Sequence, residues 1–353
     1  MIRFKHQILL ICAVCGFIFA TGCSENQGYD ATHASGIIWG TAYNITYNPH
    51  HVVNQEEVMP AVSSALNEVD KVANAFSPVS EISQLNANGS LDNPSPLFLY
   101  LLETSASVNA ESFGAFDPTI APLVNLWGFG SGSSMKNPTD MQIDSISSLV
   151  NFNNISYTKE KISFTQKGMS LDFGAIAKGV GVDRVADALS QNGIKHYMVE
   201  IGGEVRVAGT NPRGERWSVQ LDAPIRDDGG AHYQLLIMEL ADAAVATSGN
   251  YRNFRQYESG KLLYHTISPV TGRPVQTEIL SASVIARQTA VADALATASM
   301  VMGLQKASEM IERLCKQWDD EIFGAIFITD SGNESNPFMV HQVELDQNHV
   351  KIR

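Results

Sequence analysis

Hydrophobic and polar positions recur along this chain with two different periods. Apolar residues spaced three or four positions apart predict helices with one buried face, at residues 56–75, 96–110, 140–149, 289–301 and 305–314. Segments rich in β-branched and aromatic residues predict strands, at residues 36–47, 154–157, 161–166, 169–173, 196–201, 204–209, 217–223, 233–240, 245–254, 263–269, 280–286, 321–329 and 338–343. The two kinds of element are neither segregated nor in strict alternation, which predicts an α+β fold with mixed sheets and packed helices.

One segment, residues 170–184, joins the two patterns. A strand is predicted to end at Asp172, the small residues Gly174 and Ala175 follow, and a helix continues to about residue 189. Unpaired N–H groups at a helix start suit an anion, and Lys178 adds a positive charge one turn later. The glycine spacing matches neither phosphate-binding fingerprint, so an ordinary strand-to-helix turn is an alternative interpretation.

The first residues predict export from the cytoplasm. Two basic residues precede an apolar run at residues 8–20 that is too short to span a bilayer, and Ala20-Thr21-Gly22-Cys23 is typical of a lipoprotein cleavage site. We therefore predict a signal peptide at residues 1–22, lipidation at Cys23, a tether at residues 23–35 and one domain at residues 36–353. A plain secretory signal is the alternative. After cleavage only Cys23 and Cys315 remain, so no intramolecular disulfide is expected once Cys23 is lipidated.

Composition and charge narrow the classes of partner. The chain has 353 residues, of which 44% are hydrophobic, enough for a sizeable core. Its formal charge is −13, and losing residues 1–22 with their two positive charges would make it −15. Nucleic acid is excluded as an expected partner, and an anionic ligand needs a local cation.

Two polar residues stand out in an apolar helix. Asp293 and Thr297 are four positions apart, so their oxygens lie on one helix face among small apolar residues. A buried carboxylate needs a cation, and oxygen ligands favour Mg²⁺ or Ca²⁺. Alternatively, Asp293 interacts with the helix dipole and Thr297 bonds back to a carbonyl.

A histidine lies beside a loop rich in turn-forming residues. His265 enters residues 265–274 from a predicted strand, a plausible place for a general base. A purely structural histidine is the alternative. Residues 247–252 form a second segment dense in hydrogen-bonding groups.

Six separated motifs together resemble the ApbE-type FAD:protein FMN transferases, over about residues 36–343. They are Phe116-Asp117-Pro118-Thr119 with Leu126-Trp127-Gly128-Phe129-Gly130, Leu171-Asp172-Phe173-Gly174-Ala175-Ile176-Ala177-Lys178-Gly179, Glu200-Ile201-Gly202-Gly203-Glu204, Ala246-Thr247-Ser248-Gly249, His265-Thr266-Ile267 and Ala292-Asp293-Ala294-Leu295. The lipoprotein leader is also common in that family.

This resemblance implies a T-fold-like ApbE architecture and Mg²⁺-dependent transfer of FMN from FAD to a Ser or Thr hydroxyl of a membrane redox subunit, with release of AMP. By motif, the FAD-contacting residues would be Trp39, Phe76, Ala115, Phe116, Asp117, Asp172, Lys178 and Ile267. The metal would be held by the Ala175 carbonyl, Asp293 and Thr297, and His265 would activate the acceptor. The usual acceptors of the family belong to the Na⁺-translocating NADH:quinone reductase and the Rnf complex, which favours the periplasmic side of the inner membrane.

Three positions depart from the family pattern. Ser268 and Asn250 stand where Asp is frequent, and Ala296 stands where several members have Ser or Asp. Ala296 removes one side chain that could hold the metal. If water replaces the acceptor hydroxyl, the same site is an FAD pyrophosphatase giving FMN and AMP. A non-catalytic flavin-binding lipoprotein and a purely structural lipoprotein are the alternatives outside enzymes.

Overall fold

The computed structural model describes residues 28–50, 54–130, 137–225, 233–249, 254–256 and 262–353. The helices are α1 Gln55–Ala73, α2 Glu81–Asn88, α3 Pro96–Glu111, α4 Ala121–Leu126, α5 Asp140–Ser147, α6 Ala177–Gln191, α7 Thr289–Met302 and α8 Leu304–Gln317. The strands are β1 Thr32–Ile38, β2 Thr41–Tyr47, β3 Ser90–Asp92, β4 Ile155–Tyr157, β5 Lys161–Phe164, β6 Tyr197–Ile201, β7 Glu204–Ala208, β8 Trp217–Asp222, β9 Gln234–Leu240, β10 Ala244–Gly249, β11 Phe254–Gln256, β12 Leu262–Tyr264, β13 Ile279–Ala286, β14 Ile322–Asp330, β15 Phe338–Val343 and β16 Val350–Ile352.

A fully antiparallel sheet of eight strands forms the centre of the protein. Its strand order is β1-β2-β6-β7-β10-β13-β14-β15. Smaller antiparallel sheets have the orders β16-β9-β8 and β3-β5-β4, and β11 pairs with β12. Antiparallel sheets with packed helices confirm the predicted α+β class.

The two faces of the central sheet are buried against different layers. On β14, Ala325 and Phe327 join the core beneath the helices, whereas Ile326 and Ile328 join a core shared with β8 and β9. Successive side chains of a strand point to opposite faces. Because both faces are covered, β14 is an almost continuous apolar run rather than an alternating one.

Helix α7 is apolar on all sides because it lies inside the helical layer. It contacts α3, α6 and α8 as well as β10 and β13. Most of its residues are fully buried, including Ala296. None of the helices in the described ranges is long and apolar enough to cross a membrane.

The predicted strand at residues 169–173 is wrong. Met169, Leu171 and Phe173 are buried in alternation, as in a strand, but this segment has no ladder partner. The Asn86 side chain instead accepts from the Leu171 N–H at 2.7 Å and donates to its carbonyl at 2.8 Å. The Asp172 N–H donates to the Pro118 carbonyl at 2.8 Å. The Asn86 side chain and the Pro118 carbonyl thus form the backbone hydrogen bonds that a neighbouring strand would otherwise have formed.

Strands β1 and β12 and helix α2 also differ from the predictions. Strand β12 ends at Tyr264, whereas a strand was predicted at residues 263–269. Strand β1 begins at Thr32, so the last part of the predicted tether at residues 23–35 belongs to the first hairpin. Helix α2 was not predicted, since its eight residues are too few for a clear periodic pattern. Cys23 and residues 250–253 of the predicted strand at 245–254 lie outside the described residues.

Candidate active site

The site is built where α6 approaches the first turn of α7. At Gly179 on α6, an added Cβ would lie 2.5 Å from the Thr289 carbonyl oxygen and 2.8 Å from the Ala290 Cα. Glycine is therefore required for the two backbones to come this close. The Gly179 N–H donates to the Asp293 carboxylate at 3.1 Å, which ties the start of α6 to the interior of α7.

A second residue of α6 caps α7. No side chain adjacent in sequence caps this helix. The buried Asp183 carboxylate instead accepts from the N–H groups of Thr289 and Ala290, each at 2.9 Å, and from the Thr289 hydroxyl at 2.9 Å. Arg206 on β7 donates to the same carboxylate at 2.9 Å. A negative group at a helix N-terminus is stabilising, so Asp183 holds the turn that precedes Asp293.

Three charged side chains from separate elements meet beside this junction. Lys178 of α6 forms a short ion pair with Glu204 at the start of β7, and its Nζ lies 3.9 Å from Asp293 Oδ1. Glu204 is 2% exposed and Asp293 is 3% exposed. One ammonium group is thus shared by two buried carboxylates.

The electrostatics of this group favour a further cation. Burial raises the pKa of Asp293, although Lys178 and the Gly179 N–H act in the opposite direction. Burial and the Asp293 charge raise the pKa of Glu204 to about 8, against the effect of Lys178. Burial alone would lower the pKa of Lys178, but Asp293 and Glu204 outweigh it and raise that pKa. One ammonium group does not compensate both acids when both are ionised, and a divalent cation beside Lys178 would favour their ionised forms.

Oxygen donors suited to such a cation lie on the neighbouring turns. In a regular helix the Gly179 N–H would donate to the Ala175 carbonyl, four positions earlier. Here that N–H donates to the Asp293 carboxylate instead. No described residue donates a hydrogen bond to the Ala175 carbonyl. The Thr297 hydroxyl lies one helical turn after Asp293 and shares a 3.1 Å hydrogen bond with Ser248 on β10. Carbonyl, carboxylate and hydroxyl oxygens suit Mg²⁺. The described ranges hold no cluster of three or more His, Cys, Asp or Glu residues suited to a metal.

The sequence patterns assigned no role to Glu204. It directly follows the Gly202–Gly203 turn between β6 and β7, where both glycines have positive φ. This turn and the family motif that ends at Glu204 were the signals available, because a partner 26 positions away along the chain cannot be found from spacing.

The predicted flavin-contacting aromatic residues differ in exposure. Trp39 lies in the β1–β2 turn with φ 50°, and its indole N–H donates to Asp70 at 3.1 Å. An added Cβ at Gly181 would lie 2.6 Å from the Trp39 ring, so the ring packs directly on α6. Phe76, between α1 and α2, is 78% exposed, and an exposed aromatic side chain is available to stack on a ligand.

The predicted turn at residues 115–117 is buried. Ala115 and Phe116 belong to the helical core, and the Asp117 carboxylate accepts from the backbone and hydroxyl of Thr119 and from the Phe152 N–H. Burial raises the Asp117 pKa, although these hydrogen bonds oppose it.

The turn before α6 lies next to this segment. Asp172 is joined to it through the Pro118 carbonyl, and its own carboxylate accepts from the Gly174 N–H at 2.7 Å. Burial also raises the pKa of Asp172, against the effect of that hydrogen bond.

His265 and Ile267 lie on a separate loop. His265 is exposed directly after β12. Ile267 is buried with Leu123, Trp127 and Ile143, and the Trp127 indole donates to the Gly272 carbonyl at 2.7 Å. Ser268 is also buried, and its hydroxyl accepts from the Thr271 N–H at 3.2 Å. The structure thus brings the metal candidates Lys178 and Asp293 together, and it places Ile267 in a different apolar cluster.

A sequence profile of the ApbE family matches residues 39–319, which include every part of the site described above. The chain belongs to the ApbE family. Among curated relatives, the FAD:protein FMN transferases of Vibrio cholerae and Haemophilus influenzae are each 33% identical, over 85% and 79% of this chain and 89% and 83% of their own lengths. The Escherichia coli K12 relative of the same name is 28% identical over 97% of both chains.

Solved ApbE structures share the fold. The flavin transferase ApbE from Vibrio cholerae aligns with a TM-score of 0.76 and 31% identity, covering 89% of this chain and 97% of that one. The apo flavinyl transferase ApbE from Pseudomonas stutzeri aligns with a TM-score of 0.78 and 28% identity, covering 90% and 96%. These alignments confirm the ApbE architecture expected from the motifs.

Proposed function

We propose that this chain, an FAD:protein FMN transferase, moves FMN from FAD to a Ser or Thr hydroxyl of a membrane redox subunit in a Mg²⁺-dependent reaction that releases AMP. The enzyme class rests on the family and on the curated relatives. The observation that carries the metal-dependent step is the buried group of Lys178, Glu204 and Asp293 beside the Ala175 carbonyl, which accepts from none of the described residues. Such a site is suited to a divalent cation together with a diphosphate.

Lys178, Asp293, Thr297 and the Ala175 carbonyl would hold the reacting diphosphate and its cation. A bound Mg²⁺ supplies charge neutralisation for the diphosphate and for the departing AMP. Lys178 retains its positive charge at neutral pH because its pKa is raised, so it provides a permanent cation on the phosphate side of α6. The chain as a whole is acidic and would otherwise repel this substrate.

The flavin and the remainder of FAD would be bound by Trp39, Phe76, the turn at residues 115–117, Asp172 and Ile267. The exposed Phe76 ring offers a face for stacking, and Trp39 is held on α6 by its packing against Gly181. The Asp117 and Asp172 carboxylates accept from backbone N–H groups, so they would act chiefly by shaping the FAD-binding turn.

His265 would take the proton of the acceptor hydroxyl. The hydroxyl oxygen forms a bond to the phosphorus that bears riboflavin, the diphosphate P–O bond breaks, and AMP leaves. His265 is exposed, so a protein acceptor can reach it from solvent. We propose acceptors of the Na⁺-translocating NADH:quinone reductase or Rnf type and a lipid anchor at Cys23 on the periplasmic side of the inner membrane.

Mass spectrometry of a co-expressed acceptor tests this proposal. Wild-type protein with FAD and Mg²⁺ should add one FMN to a Ser or Thr of the acceptor and release one AMP. Asp293→Ala should lose the Mg²⁺-dependent activity while it remains folded. His265→Ala should slow transfer by about 10²–10⁴ while FAD still binds.

Three outcomes would contradict all or part of the proposal. AMP release with free FMN and an unmodified acceptor would indicate an FAD pyrophosphatase. FAD binding without any AMP release would indicate a flavin-binding protein without catalysis. Normal transfer by His265→Ala would return this residue to a structural role.

A further inference from the structure

We propose that Glu204 is a positioning residue that holds the Lys178 ammonium away from Asp293 and so keeps Asp293 available for a divalent cation. This inference rests on the proposed metal-binding role of Asp293. It concerns a residue on a different element, β7, which the sequence motifs did not assign to the site.

The geometry shows an unequal competition for one ammonium group. Lys178 Nζ makes its short ion pair with Glu204 Oε1, whereas its distance to Asp293 Oδ1 is 3.9 Å, the outer limit of an ion pair. Both carboxylates are almost fully buried. Without Glu204, Asp293 would be the nearest anion, and a flexible lysine stem would let the ammonium move onto it.

The hydrogen-bonding capacity of the Glu204 carboxylate is only partly used. Its Oε2 atom is buried, and no described residue donates a hydrogen bond to it. A buried carboxylate with an unpaired oxygen destabilises a fold unless its charge is compensated. Lys178 is its one ion-pair partner among the described residues, so the placement of Glu204 is explained by what it does to that lysine.

The backbone keeps this arrangement fixed. Glu204 follows the Gly202–Gly203 turn, and Glu200 at the other end of the turn accepts from the Gly203 N–H at 2.7 Å. Asp293 accepts a hydrogen bond from the Gly179 N–H. Both carboxylates are therefore held by the backbone around them, and the flexible Lys178 side chain can respond to a change in either one.

A double-mutant cycle on metal binding tests the proposal. The probe is Mn²⁺, titrated by electron paramagnetic resonance into the full-length protein with and without ADP, so no turnover is needed. Glu204→Gln keeps the shape of the side chain but removes the carboxylate that pairs with Lys178, and we expect it to weaken Mn²⁺ binding about tenfold, or about 1.4 kcal/mol. In a Lys178→Met background the same change should weaken Mn²⁺ binding by less than about threefold, because the competing ammonium group is absent.

The cycle separates positioning from direct metal ligation. If Glu204 binds the metal itself, Glu204→Gln weakens Mn²⁺ binding by the same factor in both backgrounds, and the proposal is wrong. Should Lys178→Met fail to fold, Lys178→Gln takes its place in the cycle, since its amide still donates toward residue 204. Glu200→Gln, at the other end of the same turn, is the matched control and should bind Mn²⁺ as wild type does.

A crystal structure of metal-free Glu204→Gln gives an independent readout. Lys178 Nζ should move from 3.9 Å to within about 3 Å of Asp293, a normal ion-pair distance. An unchanged distance would overturn the proposal even if activity fell. Absence of Mn²⁺ binding by wild type, with and without ADP, would instead remove Asp293 from the metal site and with it the basis of this inference.

Discussion

The approach of α6 to α7 depends on the missing side chain of Gly179, and Gly179→Ala tests it directly. An added Cβ would lie 2.5 Å from the Thr289 carbonyl oxygen, whereas ordinary contact begins at 3.4 Å. The difference between these two distances requires the helices to separate by about 0.9 Å. The obstacles are backbone atoms, so no rotamer change relieves the clash.

The expected loss of stability follows from two opposing effects. Forcing one methyl group into a close-packed contact costs about 1–3 kcal/mol. Alanine has a better helix propensity than glycine, which recovers up to about 1 kcal/mol. We therefore expect the free energy of unfolding to fall by about 1–2 kcal/mol. The shift also lengthens the 3.1 Å hydrogen bond from Gly179 to Asp293, and a displacement near 1 Å at a reacting centre lowers the rate by about a hundredfold.

Urea unfolding measures the loss of stability. The rate of acceptor flavinylation at saturating FAD and Mg²⁺ measures the loss of activity. Gly181→Ala on the same helix is the comparison, because its Cβ would meet only the tip of the Trp39 ring, at 2.6 Å. That side chain can shift, so we expect a smaller loss of stability and a higher KM for FAD. Wild-type stability and rate in Gly179→Ala would refute this account of the helix contact.

Three further predictions concern other parts of the chain. Asp183→Ala removes the cap of α7 and takes the nearer carboxylate from the partly buried Arg206, so urea unfolding should show a loss of about 3 kcal/mol. Asp187→Ala, whose side chain is 46% exposed, should lower the stability by less than about 1 kcal/mol, and equal losses in the two variants would contradict the capping role of Asp183. Burial raises the pKa of Cys315 to about 11, so its alkylation at pH 8, followed by peptide mass spectrometry, should be at least about a hundredfold slower in the native protein than in urea and should rise with pH; equal rates would refute this. Cys23→Ser should abolish lipidation and release the protein from membranes, and normal membrane fractionation of this variant would exclude the anchor.

Strong local periodicity explains which elements were predicted well. The helix predicted at residues 56–75 is α1, and that predicted at 96–110 is α3, with boundaries differing by two residues or fewer. Long amphipathic segments leave little choice of structure because only one face can be buried. Residues 169–173 show the limit of this reasoning, since alternating burial also fits an extended segment whose backbone is bonded to Asn86 rather than to a strand.

The sequence by itself determined the α+β class and the family. It also identified Asp293 and Thr297 as candidate metal ligands and Lys178 as a candidate cation for an anionic ligand. These conclusions depend on local spacing and on motifs, both of which can be recognised from the sequence without a structure. Only the tertiary structure decided that Glu204 lies against Lys178 and that Asp183 caps α7, because these partners are 26 and 106 positions apart in sequence. Contacts of that separation are set by how the helices pack on the central sheet, and packing depends on the whole core rather than on any one segment.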